Sequence, residues 1–245
     1  MKSAKKPEKP LLLRPLALDA YALTSEDIQR FDDEAAAGMV LPHDPVLVRV
    51  ATPVDVGSIG TAPIRLLTER LLAIARGQQA GGKKSAPAKG RMLVGLSAPQ
   101  IGESVRIIVV DTKIDAGRKK PGRLECFINP VIIWHSRETA EGREGCFSAG
   151  LVWGLVRRPI AIKLQAITPD GKRIERIFED FTARIVQHEI DHLDGIRFPE
   201  RIRSDYKRHW VHTEELKLYV KQIQHWQRTC TLERWEALKR GKIEA

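Results

Sequence analysis

The stretch Gln187-His-Glu-Ile-Asp-His-Leu-Asp-Gly195 sits in an apolar frame made by Ile185, Val186, Ile190 and Leu193. On a helix His188 and His192 are four residues apart and share a face, so both imidazoles can grip one metal ion. Glu189 lies beside them with a carboxylate able to exchange a proton. Gly195, just past the last apolar position, can take the left-handed conformation that ends a helix. An HExxH run can also be ordinary helix surface. Its chemical reading points to a metallohydrolase and asks for a third ligand, because a catalytic metal site uses three protein ligands and leaves a position for water.

Upstream of this helix, beta-branched runs at 105–110, 127–133, 160–167 and 174–178 alternate with turn signals such as Thr168-Pro-Asp-Gly171. Strands first and a helix after predict an α+β fold, with mixed or antiparallel sheets packed around the HExxH helix. The globular part begins near Pro45, where a strand-like start over 45–50 leads to Ile64, Leu67, Leu71, Leu72 and Ile74 at helical spacing. Residues 1–44 read as an accessory arm with a short helix over 25–37, where Ser25 can cap and Glu26 and Asp27 suit the first turn. Residues 77–90 hold glycine, small residues and lysine without apolar periodicity, the composition of a flexible insertion. Residues 203–245 form a basic amphipathic helical extension, with Leu216, Tyr219, Val220, Ile223 and Trp226, then Leu232, Trp235 and Leu238, on an apolar face. The catalytic unit is therefore expected over 45–202.

The chain has 245 residues, 42% hydrophobic and 29% charged, and no run approaches the roughly 18 apolar residues of a membrane span. No membrane is expected as a partner. The net charge of +10 suits a polyanion without naming one. Met1 to Pro10 is basic, but the apolar run that follows, Leu11 to Leu13, is too short for an export signal. Three widely spaced cysteines, Cys126, Cys146 and Cys230, argue for a reducing compartment, and the cytoplasm is the expected location.

Cys146 is the candidate third ligand. It stands in Glu144-Gly-Cys-Phe-Ser148, although a lone cysteine is more often a small buried hydrophobe. Three segments then occur in order: Gly95-Leu-Ser-Ala-Pro-Gln100, Glu144-Gly-Cys-Phe-Ser148 and Gln187-His-Glu-Ile-Asp-His192. Together they resemble the three signature motifs of the peptide deformylases, over about 45–202 and including Asn129-Pro130 and Arg158-Pro159. The resemblance implies that Cys146, His188 and His192 bind one divalent metal ion. Fe2+ is the expected physiological ion, with Zn2+, Ni2+ or Co2+ as substitutes. It implies that Glu189 is the general base and later the acid, and that the Gln100 side-chain amide and the Phe147 backbone N–H stabilise the oxyanion. Gly95 and Arg158 would lie along a groove where the substrate pairs as an added strand. Asp191 or Asp194 can orient a ligand histidine through its second ring nitrogen.

The activity so implied is removal of the N-formyl group from nascent polypeptides, with release of formate. Two alternatives stand beside it: a related hydrolase of another small N-acyl substrate, and a ribosome- or RNA-binding module on an inactive scaffold. DNA is not an expected partner. Leu93 stands where the family has glycine, Ser97 where it has alanine, Phe147 where it has leucine, and Ala149-Gly150 where an aliphatic residue and proline are common. Leu93 and Phe147, with the insertion, are expected to reshape the pocket for the first side chain. From Arg201 to Ala245 eleven Lys or Arg face six Asp or Glu, a balance that suits docking on ribosomal RNA. Packing of the apolar face on the catalytic unit is the competing use of the same tail.

Overall fold

The computed structural model describes residues 18–77, 93–114 and 122–242. The insertion expected at 77–90, beyond Gly77, lies outside the described residues, as does the start of the arm. Eight strands run as Gly95–Ser97 (β1), Ile107–Asp111 (β2), Leu124–His135 (β3), Thr139–Gly145 (β4), Val152–Pro159 (β5), Ala161–Ile167 (β6), Arg173–Glu179 (β7) and Arg208–Trp210 (β8). They form a five-stranded sheet of order β1-β2-β3-β6-β7 and a three-stranded sheet of order β4-β5-β8, both antiparallel throughout. The helices are Ser25–Ala36 (α1), Ala62–Ala75 (α2), Asp180–Leu193 (α3), Leu216–Gln222 (α4) and Leu232–Lys239 (α5). The α+β expectation is met, in its antiparallel form.

The sequence of β2, Ile-Ile-Val-Val-Asp, is buried on both faces because helices cover both. Ile107 and Val109 join the cluster holding Leu71 and Ile74 of α2, whereas Ile108 and Val110 join the one holding Ile185, Val186, Ile190 and Leu193 of α3. Each such aliphatic side chain contributes about 1.5–3 kcal/mol when fully buried. The apolar face of α3 thus rests on the large sheet, while the helix also touches β5 of the small one. Its end is closed as anticipated: Gly195 has φ +70, and a Cβ there would stand 2.7 Å from the Val48 carbonyl oxygen. The freed Leu193 carbonyl accepts from the Ala51 N–H at 2.7 Å.

Several local expectations are corrected. Residues Pro45–Val48 form a 3-10 turn and not a strand, because the Asp44 carboxylate accepts from the Val46 N–H at 2.8 Å and Pro45 offers no donor to a ladder. The cap of α1 is Thr24 and not Ser25, with Asp27 closing a capping box. The helical tail is divided into two short helices, and β8 precedes them and pairs with β5, which the sequence reading had not anticipated. Among the described residues, no helix is long and apolar enough to cross a membrane.

Candidate metal centre

The turn between β4 and β5 carries Cys146, and α3 carries His188 and His192. Their ligand atoms all lie within 4.8 Å of one another, with Cys146 Sγ 3.5 Å from His192 Nε2. His188 Nδ1 is 2.9 Å from Glu144 Oε2, and its ring stacks on Phe198 at 5.9 Å between centroids. That contact directs Nε2 at the cluster, the arrangement in which a carboxylate orients a ligating imidazole. Nδ1 of His192 is buried without a hydrogen-bond partner among the described residues. Burial, together with the charges of His188, Arg197 and Arg158, holds His192 well below the usual histidine value, in the neutral form that can ligate. Burial also works against charge on His188, but Cys146 and Glu144 draw its value well above the ordinary one. One thiol and two imidazoles converging on one point fit a divalent transition metal.

Glu144 organises the second layer of the site. Its Oε1 accepts from Arg158 Nε at 2.7 Å and Arg184 Nη1 at 2.8 Å, and its Oε2 from Arg158 Nη2 at 2.9 Å as well as facing His188. Burial pushes this carboxyl up, yet Arg158 and His188 overcome it and hold the group well below the carboxylate range. Asp191 accepts from Arg158 Nη1 at 2.9 Å and Arg201 Nη2 at 2.5 Å, and Asp194 pairs with Arg106 at 2.8 Å. Among the described residues the carboxylate in contact with a candidate ligand histidine is thus Glu144, and neither of the two aspartates expected there.

The pleat of β5 turns Arg158 inward with Val152, Gly154 and Val156, and its guanidinium is bound to Glu144 and Asp191, so it is not a solvated charge; it also borders an open cavity of about 420 Å3 shared with Arg157, Asp191 and Arg201. Its neighbour Arg157, with a side chain 63% exposed, is the solvated one.

Glu189 is buried and its Oε2 has no hydrogen-bond partner among the described residues. Burial is the main reason that its carboxyl is pushed up to about 7. Gly95 makes room for it: a Cβ at that position would stand 2.3 Å from Glu189 Oε1. Gln100 is held by Ser97, whose N–H and hydroxyl donate to Oε1 at 2.8 and 2.9 Å. This fixes the amide so that Nε2 faces Cys146 Sγ at 3.2 Å and Ser148 Oγ at 3.3 Å. Phe147 opens the 3-10 turn Phe147–Ala149, whose bonds run from the Ala149 and Gly150 N–H groups to the Cys146 and Phe147 carbonyls, leaving the Phe147 N–H outside them. Its ring packs on Phe31 of α1 at 5.8 Å, and Leu93 joins the same cluster. The bulk of both residues is used in the core.

Sequence reasoning named Cys146, His188, His192, Glu189 and Gln100, which the fold brings together, and gave no site role to Glu144, Ser97 or Arg184. Arg184 lies one turn before His188, spacing that could have drawn attention to it.

A family model described as polypeptide deformylase matches residues 37–208. A peptide deformylase of Desulforudis audaxviator is 44% identical over 115 residues, 47% of this chain and 70% of that protein. One from Bordetella pertussis is 38% identical over 165 residues, 66% of this chain and 84% of that protein. The solved structure of a class I type b peptide deformylase from Acinetobacter baumannii, bound to Met-Ala-Ser, has a TM-score of 0.58 at 31% identity and covers 67% of this chain and 96% of its own. Other alignments span 60% to 64% of the relatives' lengths.

Proposed function

The chain belongs to the polypeptide deformylase family, metal-dependent enzymes that remove the N-formyl group from nascent polypeptides, and from that premise we propose the part each residue plays. Cys146, His188 and His192 hold the metal. A divalent cation there would supply the positive charge that makes a water molecule acidic enough to lose its proton near neutral pH. Glu189 takes that proton at a carboxylate that burial has tuned to about 7, close to the value at which one group serves well as base and then as acid. The amide of Gln100 and the N–H of Phe147 receive the oxyanion that forms on the formyl carbonyl. Glu189 then passes the proton to the departing amine nitrogen, and formate and a peptide with a free N-terminus leave.

The Met-Ala-Ser peptide bound to the Acinetobacter relative has such a free methionine terminus, so formylmethionyl peptides are our substrate reading. Gly95 keeps its place beside this substrate, since the carboxylate it accommodates is the reacting one. Arg158 acts at a distance, by fixing Glu144 and through it His188. Ferrous iron is our assignment for the metal, supported by the family resemblance and by a Cys, His, His set that suits Fe2+ and Zn2+ alike. For the cytoplasm as location, the support is the three unpaired cysteines.

The observation that carries this reading is the buried Glu189 beside three convergent ligands. Formate release from formyl-Met peptides and elemental analysis test it together. Glu189→Gln should keep one metal per chain and lose about 10²- to 10⁴-fold in rate. Wild-type protein that takes up no metal, or a Glu189→Gln variant as fast as wild type, would overturn it.

A further inference from the structure

Behind the turn that carries Cys146, a separate cavity of about 240 Å3 lies between α1, α5 and the Ala149–Leu151 segment. Its walls are mostly apolar, with Ile28, Phe31, Leu151 and Leu238 among them. Three lining residues carry buried polar atoms without a hydrogen-bond partner among the described residues, and all of these atoms are donors: Nε and Nη2 of Arg197, Nε1 of Trp210 and Nε1 of Trp235. Arg197 is only 1% exposed. Its Nη1 donates to the carbonyls of Pro42 at 2.5 Å and Ser148 at 2.9 Å, and its guanidinium lies 4.6 Å from the Trp235 ring centroid.

The edge that remains, Nε with Nη2, is the one by which Arg158 grips Glu144 at 2.7 and 2.9 Å. One molecule thus displays the same fork once filled by a carboxylate and once without one. No carboxylate of the described residues meets the Arg197 fork. Glu200 accepts only its backbone N–H, at 3.2 Å, and is ion-paired to Lys239. The other ionisable groups lining the cavity, Asp32 and His43, are exposed. Buried donors left unpaired destabilise a fold, so a ligand bringing acceptors gains free energy by meeting them.

We propose that this cavity binds a small amphipathic monocarboxylate, its carboxylate on the Nε and Nη2 edge of Arg197 and its tail against Ile28, Phe31 and Leu151. The volume admits on the order of ten heavy atoms. A single cation within apolar walls selects a monoanion with a hydrocarbon tail over inorganic phosphate.

The test titrates octanoate into the metal-loaded, full-length enzyme by calorimetry, with octan-1-ol as the neutral probe of equal length. Octanoate should bind saturably at one site, and octan-1-ol at least about tenfold more weakly, the loss expected when charge-assisted hydrogen bonds are removed. Arg197→Leu should weaken octanoate by a similar factor. Ile28→Trp, a change at a half-exposed wall position that fills the cavity, should abolish binding and leave the fold intact. Failure of octanoate to bind at millimolar concentration, or equal affinity for octan-1-ol, overturns the proposal. So does binding that persists in Ile28→Trp, which would put the carboxylate at the metal. These outcomes decide the matter even if Arg197→Leu does not fold.

Discussion

A methyl group at position 95 would stand 2.3 Å from Glu189 Oε1, so Gly95→Ala must push the carboxylate aside or move β1. Displacement of a reacting group by about 1 Å costs on the order of 10²-fold in rate. We expect kcat/KM for formate release to fall by that factor in Gly95→Ala, with the metal content of wild type. Equal rates would mean that Glu189 acts from another position. Glu144 tests the opposite separation of effects, because it touches His188 and not the reacting centre. Glu144→Gln removes the charge that orients His188 and leaves Arg158 buried with one carboxylate in place of two. Second-layer changes of this kind cost about 10- to 100-fold in metal affinity, and a buried ion pair broken on one side costs about 3–5 kcal/mol of stability. Competition against a chelator should show the first loss and thermal unfolding the second. A variant with wild-type metal affinity would remove Glu144 from its assigned role.

Elements differ in how openly the sequence declares them. α2 and α3 were legible because one helical face of each is apolar, and β6 and β7 because isoleucines and other apolar residues are spaced among polar ones along both and a turn signal lies between them. β4, Thr-Ala-Glu-Gly-Arg-Glu-Gly, carries no such signal: it is mostly exposed, and what holds it is seven paired positions with β5 and the reach of Arg184 to the Ala140 carbonyl at 2.8 Å. Those are tertiary interactions that no local pattern encodes. The site divides in the same way. The candidate ligands, base and amide sit in compact motifs, whereas the link from Glu144 to Arg158 and Arg184 depends on strand pleat and packing. The tail shows both sides at once: its aromatic residues Tyr219, Trp226 and Trp235 are buried, as packing on the body requires, while Lys217, Lys221, Arg240 and Lys242 stay exposed. Arg203 and Arg234 are exposed too, so any docking of the tail on the ribosome falls to those six. Replacing them together with Glu should leave formate release on short peptides unchanged and abolish co-sedimentation with ribosomes at low salt, since each phosphate no longer neutralised by a cation weakens binding and flattens its salt dependence. Undiminished co-sedimentation would rule the tail out as the docking element.

Across the whole molecule, the accessory arm and the tail are not two appendages but one latch over the small sheet. Asp27 of α1 is fully buried and accepts from the Thr24 and Thr213 N–H groups at 3.0 and 2.8 Å, and it meets His212 Nδ1 at 2.6 Å. Tyr21 donates to the Thr229 carbonyl at 3.1 Å, and Phe31 packs on Phe147 beside the candidate metal ligand Cys146. Arm and tail therefore stabilise each other and, through Phe31, the turn that bears the site. Burial works against the Asp27 carboxylate, but the hydrogen bonds from His212, Thr24 and Thr213 prevail and hold its value below the usual 3.8. A group depressed on folding binds its proton more readily in the unfolded chain, so its contribution is full above about pH 4 and is lost as pH falls through the lower folded value. Asp27→Asn should accordingly lower stability near neutral pH, by about 2–3 kcal/mol for the buried bonds broken, and flatten the acid limb of a Tm-against-pH curve. With Tm moving about 2–4 °C per kcal/mol in a chain of this size, the neutral-pH shift is readily measured. An unchanged acid limb in Asp27→Asn would mean that another carboxylate governs acid unfolding and that the latch contributes nothing through this charge.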